Sequence, residues 1–372
     1  MNTSKSIVAV AALATLMATG LPPPSAKAWG RATGPDRFGR SERQRSDDVV
    51  RHIGSNMWPV NVGGSQMLLP YESNHAVDRP ADFTRLIVLI HGMHRKVTLA
   101  RGVQEALGVV NRPATLLFVP QFLNERDHAA HKLPDDMLFW RDSWKWGDPS
   151  SGAKRIGSFE VLDQIIFDLA ARYPSIREVV IMGNSAGGQF TQRYAALSPA
   201  EDVINSKGRG IAFRYLASNP SSYLYFDNKR VSPSGRLQVP VSSVVNSCPK
   251  YNAYGYGLEN LNPYASRSSM ADISARLLRR TVVYFIGNDD DDQDHPLLDT
   301  RCAAELQGAE RFARSQNYWQ HLLERFGRNV TLHQRRVCVE HGTHNSQTIW
   351  GTSCGAFYIN GEGSCAPSPC PE

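Results

Sequence analysis

The pentapeptide Gly183-Asn184-Ser185-Ala186-Gly187 sets a serine between small residues. It comes directly after the apolar run Val179-Val180-Ile181-Met182 and directly before a helix-like segment, Gln189 to Leu197. A serine on such a strand-to-helix turn is lifted out of the backbone. Its hydroxyl then sits beside a helix N-terminus, where N–H groups can meet developing negative charge. The hydroxyl alone is a poor nucleophile near neutral pH, so it needs a base, and the base needs an acid to orient it. Downstream, Val339-Glu340-His341-Gly342-Thr343-His344-Asn345-Ser346 offers two histidines. His344 is the expected base, because it lies a loop turn beyond Gly342 and just before a predicted helix, Asn345 to Gly351. His341, nearer the strand, reads as structural. Asp290 is the expected acid, three residues beyond the glycine that closes the run Thr281 to Ile286, with Asp227 as the fallback. Asp289 to Asp292 are four adjacent aspartates that cannot all be buried against their mutual repulsion. Most must be solvated or hold a cation. A calcium site from Asp289, Asp291, Asp292 and Asp294 is the alternative, although the spacing is not that of an EF-hand.

These groups need a scaffold that points loops from several strands toward one place. Arg85 to Ile90 and Ala114 to Val119 are continuous apolar runs, as expected of parallel strands buried on both faces. A helix is predicted over Val97 to Val110. Another is predicted over Ser158 to Tyr173, with Ser158 as N-cap and Phe159, Val161, Leu162, Ile165, Ile166 and Leu169 at helical spacing. Further strands are predicted at Ile211 to Ala217, Thr281 to Ile286 and Val330 to Val339, with a helix from about Cys302 to Phe326. A hairpin break at Asn61-Val62-Gly63-Gly64 precedes a short strand, Met67 to Tyr71. Strands alternating with helices argue for a mostly parallel sheet covered on both faces. Residues 219–272, rich in Ser, Tyr, Asn, Pro and Gly, break the rhythm and read either as a lid-like insertion or as a plain surface loop. Phe139, Trp140, Trp144 and Trp146 are candidates for a substrate pocket or for core.

Ile90-His91-Gly92-Met93, directly after a buried strand, resembles the oxyanion loop of α/β-hydrolases. Together with the serine turn and the late histidine, it makes the chain similar to α/β-hydrolase-fold serine hydrolases of the secreted bacterial esterase and lipase kind. The likeness runs from about Leu86 through Trp350. It implies a doubly covered central sheet, a triad in the order Ser185, Asp290, His344, and an oxyanion hole from the N–H groups of Met93 and Ala186. It also implies ester cleavage through an acyl-enzyme, with no cofactor and no metal. The substrate would be a small-molecule or polymeric ester. A secreted peptidase or amidase, a polymer-ester depolymerase, and a non-catalytic binding protein on the same scaffold are the alternatives.

Residues 1–28 read as a signal peptide, with Lys5 ahead of the apolar stretch Ile7 to Leu16 and Ala26-Lys27-Ala28 as the cleavage site. Residues 29–372 then form a single α/β-hydrolase domain whose tail, about 338–372, is rich in cysteine. A secreted residence, periplasmic or extracellular, follows, with no stable membrane insertion. Six cysteines agree with an oxidising compartment, and the preferred pairing is Cys248–Cys302, Cys338–Cys354 and Cys365–Cys370. The formal charge of +6 includes Lys5 and Lys27. It is scattered, without basic runs or aromatic–basic alternation, so no nucleic-acid partner is expected.

Overall fold

The structure, a computed structural model, describes residues 49–98, 108, 112–366 and 370. The predicted signal peptide, residues 29–48 and most of the predicted helix Val97 to Val110 lie outside the described residues. The strands, in chain order, are β1 (Asn56–Val62), β2 (Ser65–Ser73), β3 (Arg85–Ile90), β4 (Thr115–Pro120), β5 (Glu178–Asn184), β6 (Ala212–Ser218), β7 (Arg230–Val231), β8 (Leu237–Gln238), β9 (Val282–Gly287) and β10 (Gln334–Val339). Eight of them form one sheet in the order β1-β2-β4-β3-β5-β6-β9-β10, while β7 and β8 pair separately. β1 and β2 form an antiparallel hairpin, and β2 meets β4 antiparallel. From β4 to β10 every pairing is parallel.

Parallel pairing brings the carboxyl ends of β3, β5, β6, β9 and β10 to one edge of the sheet, which is where ligands bind in open α/β folds. The side-chain period of two splits each apolar run between the two faces. Leu86, Val88 and Ile90 of β3 pack with helices α1 (Ser158–Arg172) and α2 (Ala186–Leu197). Ile87 and Leu89 pack on the other face against Ile349, Trp350 and Ile359 from the C-terminal helices. Every residue of α2 is buried, so the helix that follows Ser185 is a core element on all sides. Asp163 of α1 accepts hydroxyl bonds from Tyr194 and Ser198 at its Oδ1 and from Tyr264 at its Oδ2, each at 2.6 Å. This ties α1, α2 and the 219–272 segment together.

Three expectations need correction. Ser158 is the first residue of α1 and not its cap. Gly157 holds the cap position, and the Ser158 hydroxyl donates to the carbonyl of Trp144 at 2.6 Å. The predicted helix Cys302 to Phe326 is two helices, Cys302–Glu305 and α3 (Arg311–Phe326). Gly308, at φ 147°, takes the chain out of the helical region, and Glu310 restarts it by accepting from the Ala313 N–H at 2.9 Å. The disulfides are Cys248–Cys302, Cys338–Cys370 and Cys354–Cys365. The first agrees with expectation. The other two differ because Cys338 lies within β10 and Cys354 in the following helix Ser353–Asn360, each facing a different stretch of the tail. Of the aromatic candidates, Trp140 and Trp144 follow the core reading and are fully buried. Trp144 stacks on Phe122 and meets the His91 ring, so these two indoles are core beneath the loop that follows β3. The 219–272 segment starts in the core too, with Tyr223 to Phe226 buried, and is anchored by Cys248–Cys302.

Candidate active site

β5 ends at Asn184, and the next residue, Ser185, adopts φ 61° and ψ −119°. That backbone is strained for a residue with a Cβ, and it is held from both sides. The Ser185 N–H donates to the Ser218 carbonyl at 2.9 Å, and the Ser185 carbonyl accepts the first helical bond from Gln189. The turn closes because position 187 has no side chain: a Cβ on Gly187 would lie 2.2 Å from the Ile90 carbonyl oxygen. Ser185 is 7% exposed.

The His91–Met93 loop comes against this turn, so close that a Cβ on Gly92 would stand 3.8 Å from Ser185 Cβ. His91 fixes the loop. Its Nε2 accepts from the Phe122 N–H at 2.9 Å, which leaves the ring proton on Nδ1 to donate to the Gly92 carbonyl at 2.9 Å. Burial pushes this histidine down to about 4, so it stays neutral. In a trans peptide the carbonyl and the following N–H point opposite ways, so holding the Gly92 carbonyl also aims the Met93 N–H. Arg95, buried and at φ 53°, donates to the Met93 carbonyl at 2.7 Å and pairs with buried Asp127 at 2.7 Å. Neither His91 nor the Arg95–Asp127 pair was identifiable as a support for this loop from its position in the chain.

Across the sheet edge the loops after β9 and β10 lock together: the Asn288 N–H donates to the Val339 carbonyl at 3.0 Å and the Asp289 N–H to the Gly342 carbonyl at 2.9 Å. Of the four adjacent aspartates only Asp290 is buried, at 2% exposed. Its Oδ2 lies 2.8 Å from His344 Nδ1, and its Oδ1 lies 3.3 Å from Nη1 of fully buried Arg311. The Asn184 side chain, next to Ser185, donates to the His344 carbonyl at 3.3 Å and brings the histidine loop to the serine turn. With Nδ1 engaged by a carboxylate, Nε2 of His344 carries the free lone pair; it is shielded from solvent and, among the described residues, meets no hydrogen-bond partner. Burial, and then the Arg311 charge, push His344 below its ordinary 6.5, while Asp290 opposes them. Burial pushes Asp290 upward, but the hydrogen bond and charge of His344, with Arg311, hold it below the ordinary carboxylate value.

The rival residues lie elsewhere. His341 is 85% exposed and pairs loosely with exposed Asp289. Asp227 faces buried His321 at 3.6 Å. Among the described residues, no three His, Cys, Asp or Glu side chains converge as a metal site would require. Sequence reasoning missed Arg311 and His295. Both are single residues with no motif around them, and only the fold reveals what they face.

No family model and no curated protein matches the chain in sequence. Solved structures do match in fold. A poly(3-hydroxybutyrate) depolymerase, LpqC of Bordetella parapertussis, superposes with a TM-score of 0.53 at 18% identity over 85% of this chain and 93% of its own. Poly(aspartic acid) hydrolase-1 of Sphingomonas sp. KT-1 gives 0.50 at 19% identity, over 80% of this chain and 96% of its own. The fold is that of the α/β-hydrolases.

Proposed function

We propose that the protein is a serine hydrolase that cleaves esters through an acyl-enzyme. The observation that carries this reading is the shielded, unpartnered Nε2 of His344, whose other nitrogen is held by buried Asp290 and whose loop is bonded to the residue before Ser185. In the proposed cycle Nε2 accepts the Ser185 proton as Oγ attacks the ester carbonyl. Asp290 stabilises the imidazolium that forms, and the same proton passes to the leaving alcohol. The Met93 and Ala186 N–H groups receive the oxyanion, each donor contributing about 3 kcal/mol. Water then repeats the sequence on the acyl-enzyme.

Polymer cleavage is the second reading, because both structural neighbours named above are polymer hydrolases, one acting on a polyester and one on poly(aspartic acid). Release of soluble products from a suspended polyester would separate it from a small-ester preference. Residues 1–28 as an export signal, with secretion and a single domain over 29–372, complete the proposal, and the three disulfides agree with it.

The test is intact-mass labelling with a fluorophosphonate. The parent protein should gain one adduct, and Ser185→Ala, still folded, should gain none and lose ester turnover. An equal adduct on both proteins rejects Ser185 as the nucleophile.

A further inference from the structure

Beside the Asp290–His344 pair stands a second histidine that the proposed cycle does not use. His295 lies on the loop leaving β9, and its ring meets the His344 ring edge-on, with centroids 5.0 Å apart. Its Nδ1 is 3.1 Å from Arg311 Nη2 and 3.1 Å from the Leu297 backbone nitrogen. Both neighbours can only donate, so Nδ1 accepts and the ring proton resides on Nε2. His295 is half-buried, and among the described residues no acceptor faces that Nε2–H. Arg311 is itself fixed, with Nε on the Ser221 hydroxyl at 2.9 Å and Nη1 on Asp290. The ring is therefore held at Nδ1 by a buried cation, beside the ring of the proposed base, while Nε2–H meets no acceptor among the described residues.

Given the serine-hydrolase reading, on which this inference rests, we propose that His295 Nε2–H is a fixed donor to a second oxygen of the substrate. It would select esters that carry a hydroxyl, ether or carbonyl oxygen close to the scissile bond over plain alkyl esters. The environment keeps this donor constant. Burial, then the charges of Arg311 and His344, bring His295 down to about 4 against the opposing Asp290 and Asp292, so the ring is neutral wherever His344 acts as a base. A neutral ring neither competes for the Ser185 proton nor repels the His344 imidazolium. A mere prop for Arg311 would need only an acceptor at Nδ1, and an asparagine supplies that.

The experiment compares parent, His295→Asn and His295→Gln on two isosteric pairs. Asn keeps an acceptor near Nδ1 without the outer N–H, and Gln carries an N–H to the place of Nε2. p-Nitrophenyl 3-hydroxybutyrate against p-nitrophenyl 3-methylbutyrate probes the acyl side. 2-Methoxyethyl butyrate against butyl butyrate probes the alcohol side. In one pair, His295→Asn should lose about 10- to 100-fold in kcat/KM on the oxygen-bearing member and little on the other, with His295→Gln recovering most of the loss. The pair that responds tells which side of the ester the donor meets. Equal loss on both members of both pairs, or no loss at all, overturns the proposal and leaves His295 as support for Arg311. If the parent hydrolyses none of the four esters and takes no fluorophosphonate adduct, the underlying reading falls and this one with it. An adduct without discrimination removes only the role of His295.

Discussion

Replacing Asp290 with asparagine changes one atom, and Arg311 decides what that atom does. In the parent, Oδ2 accepts from His344 Nδ1 at 2.8 Å and Oδ1 faces Arg311 Nη1 at 3.3 Å. An amide has one oxygen and one NH2 for these two neighbours. A guanidinium can only donate, so the amide oxygen must turn to Arg311 and the NH2 to His344. Against an NH2, Nδ1 has to accept, and the ring proton moves to Nε2, the atom that should receive the Ser185 proton. The expected loss in kcat is about 10⁴-fold, or about 5 kcal/mol of barrier. Asp290→Ala imposes no tautomer and should be less impaired than Asp290→Asn, even though removing a carboxylate from beside a buried arginine costs about 3–5 kcal/mol of stability. The assay is kcat on p-nitrophenyl acetate from pH 5 to 9, with circular dichroism to confirm folding. An asparagine variant that keeps a tenth of the parent rate, or outperforms the alanine variant, refutes the argument.

The proposed cycle requires neutral His344, whose value burial and Arg311 depress below 6.5, so the acid limb of kcat/KM for the parent should fall below pH 6.5. Arg311→Met removes one depressing charge and should move that limb to higher pH; a limb that stays put or moves down contradicts the electrostatic role of Arg311. At Asp163, burial raises the carboxyl from 3.8 to about 6 despite its three hydroxyl donors. Its contribution to stability is therefore complete below about pH 4 and lost as pH rises through about 6, a change of about 3 kcal/mol. Asparagine does not titrate, so the difference in urea stability between parent and Asp163→Asn should shrink by that amount from pH 4 to 8, and a constant difference would count against the shift.

Much of this architecture was legible because local chemistry fixes it. β3 runs from Arg85 to Ile90, and Leu86 to Ile90 are all buried, as a continuous apolar run predicts for a strand covered on both faces. The serine turn reads from its small residues, and the aspartate run had to place most of its members in water, as it does around buried Asp290. What could not be read depends on distant partners. Arg311 is 21 residues from Asp290 and starts a helix that the sequence pattern ran together with Cys302–Glu305. The apolar positions continue through the break, and only a positive φ at Gly308 separates the two helices. Tail disulfides follow the path of the chain across β10, which spacing does not encode. His91 reads as part of an oxyanion motif, but its bond to Phe122 arises from β4 ending beside β3.

The corrected disulfides bracket the loop that bears His344. Cys338 fastens the strand before it, Cys354 fastens the helix after it, and both are tied to the same C-terminal tail. Ser185 and Met93, by contrast, lie on turns that leave β5 and β3, and Ala186 opens α2; all three are buried, with no cysteine near them in the chain. Oxidation therefore bears unequally on the two halves of the proposed machinery. In a reducing compartment the nucleophile and its anion-binding amides are assembled by packing alone, while the base rests on a loop whose flanks have lost their covalent anchors. Under the proposed function, these two bonds therefore steady the proton carrier and leave the nucleophile untouched.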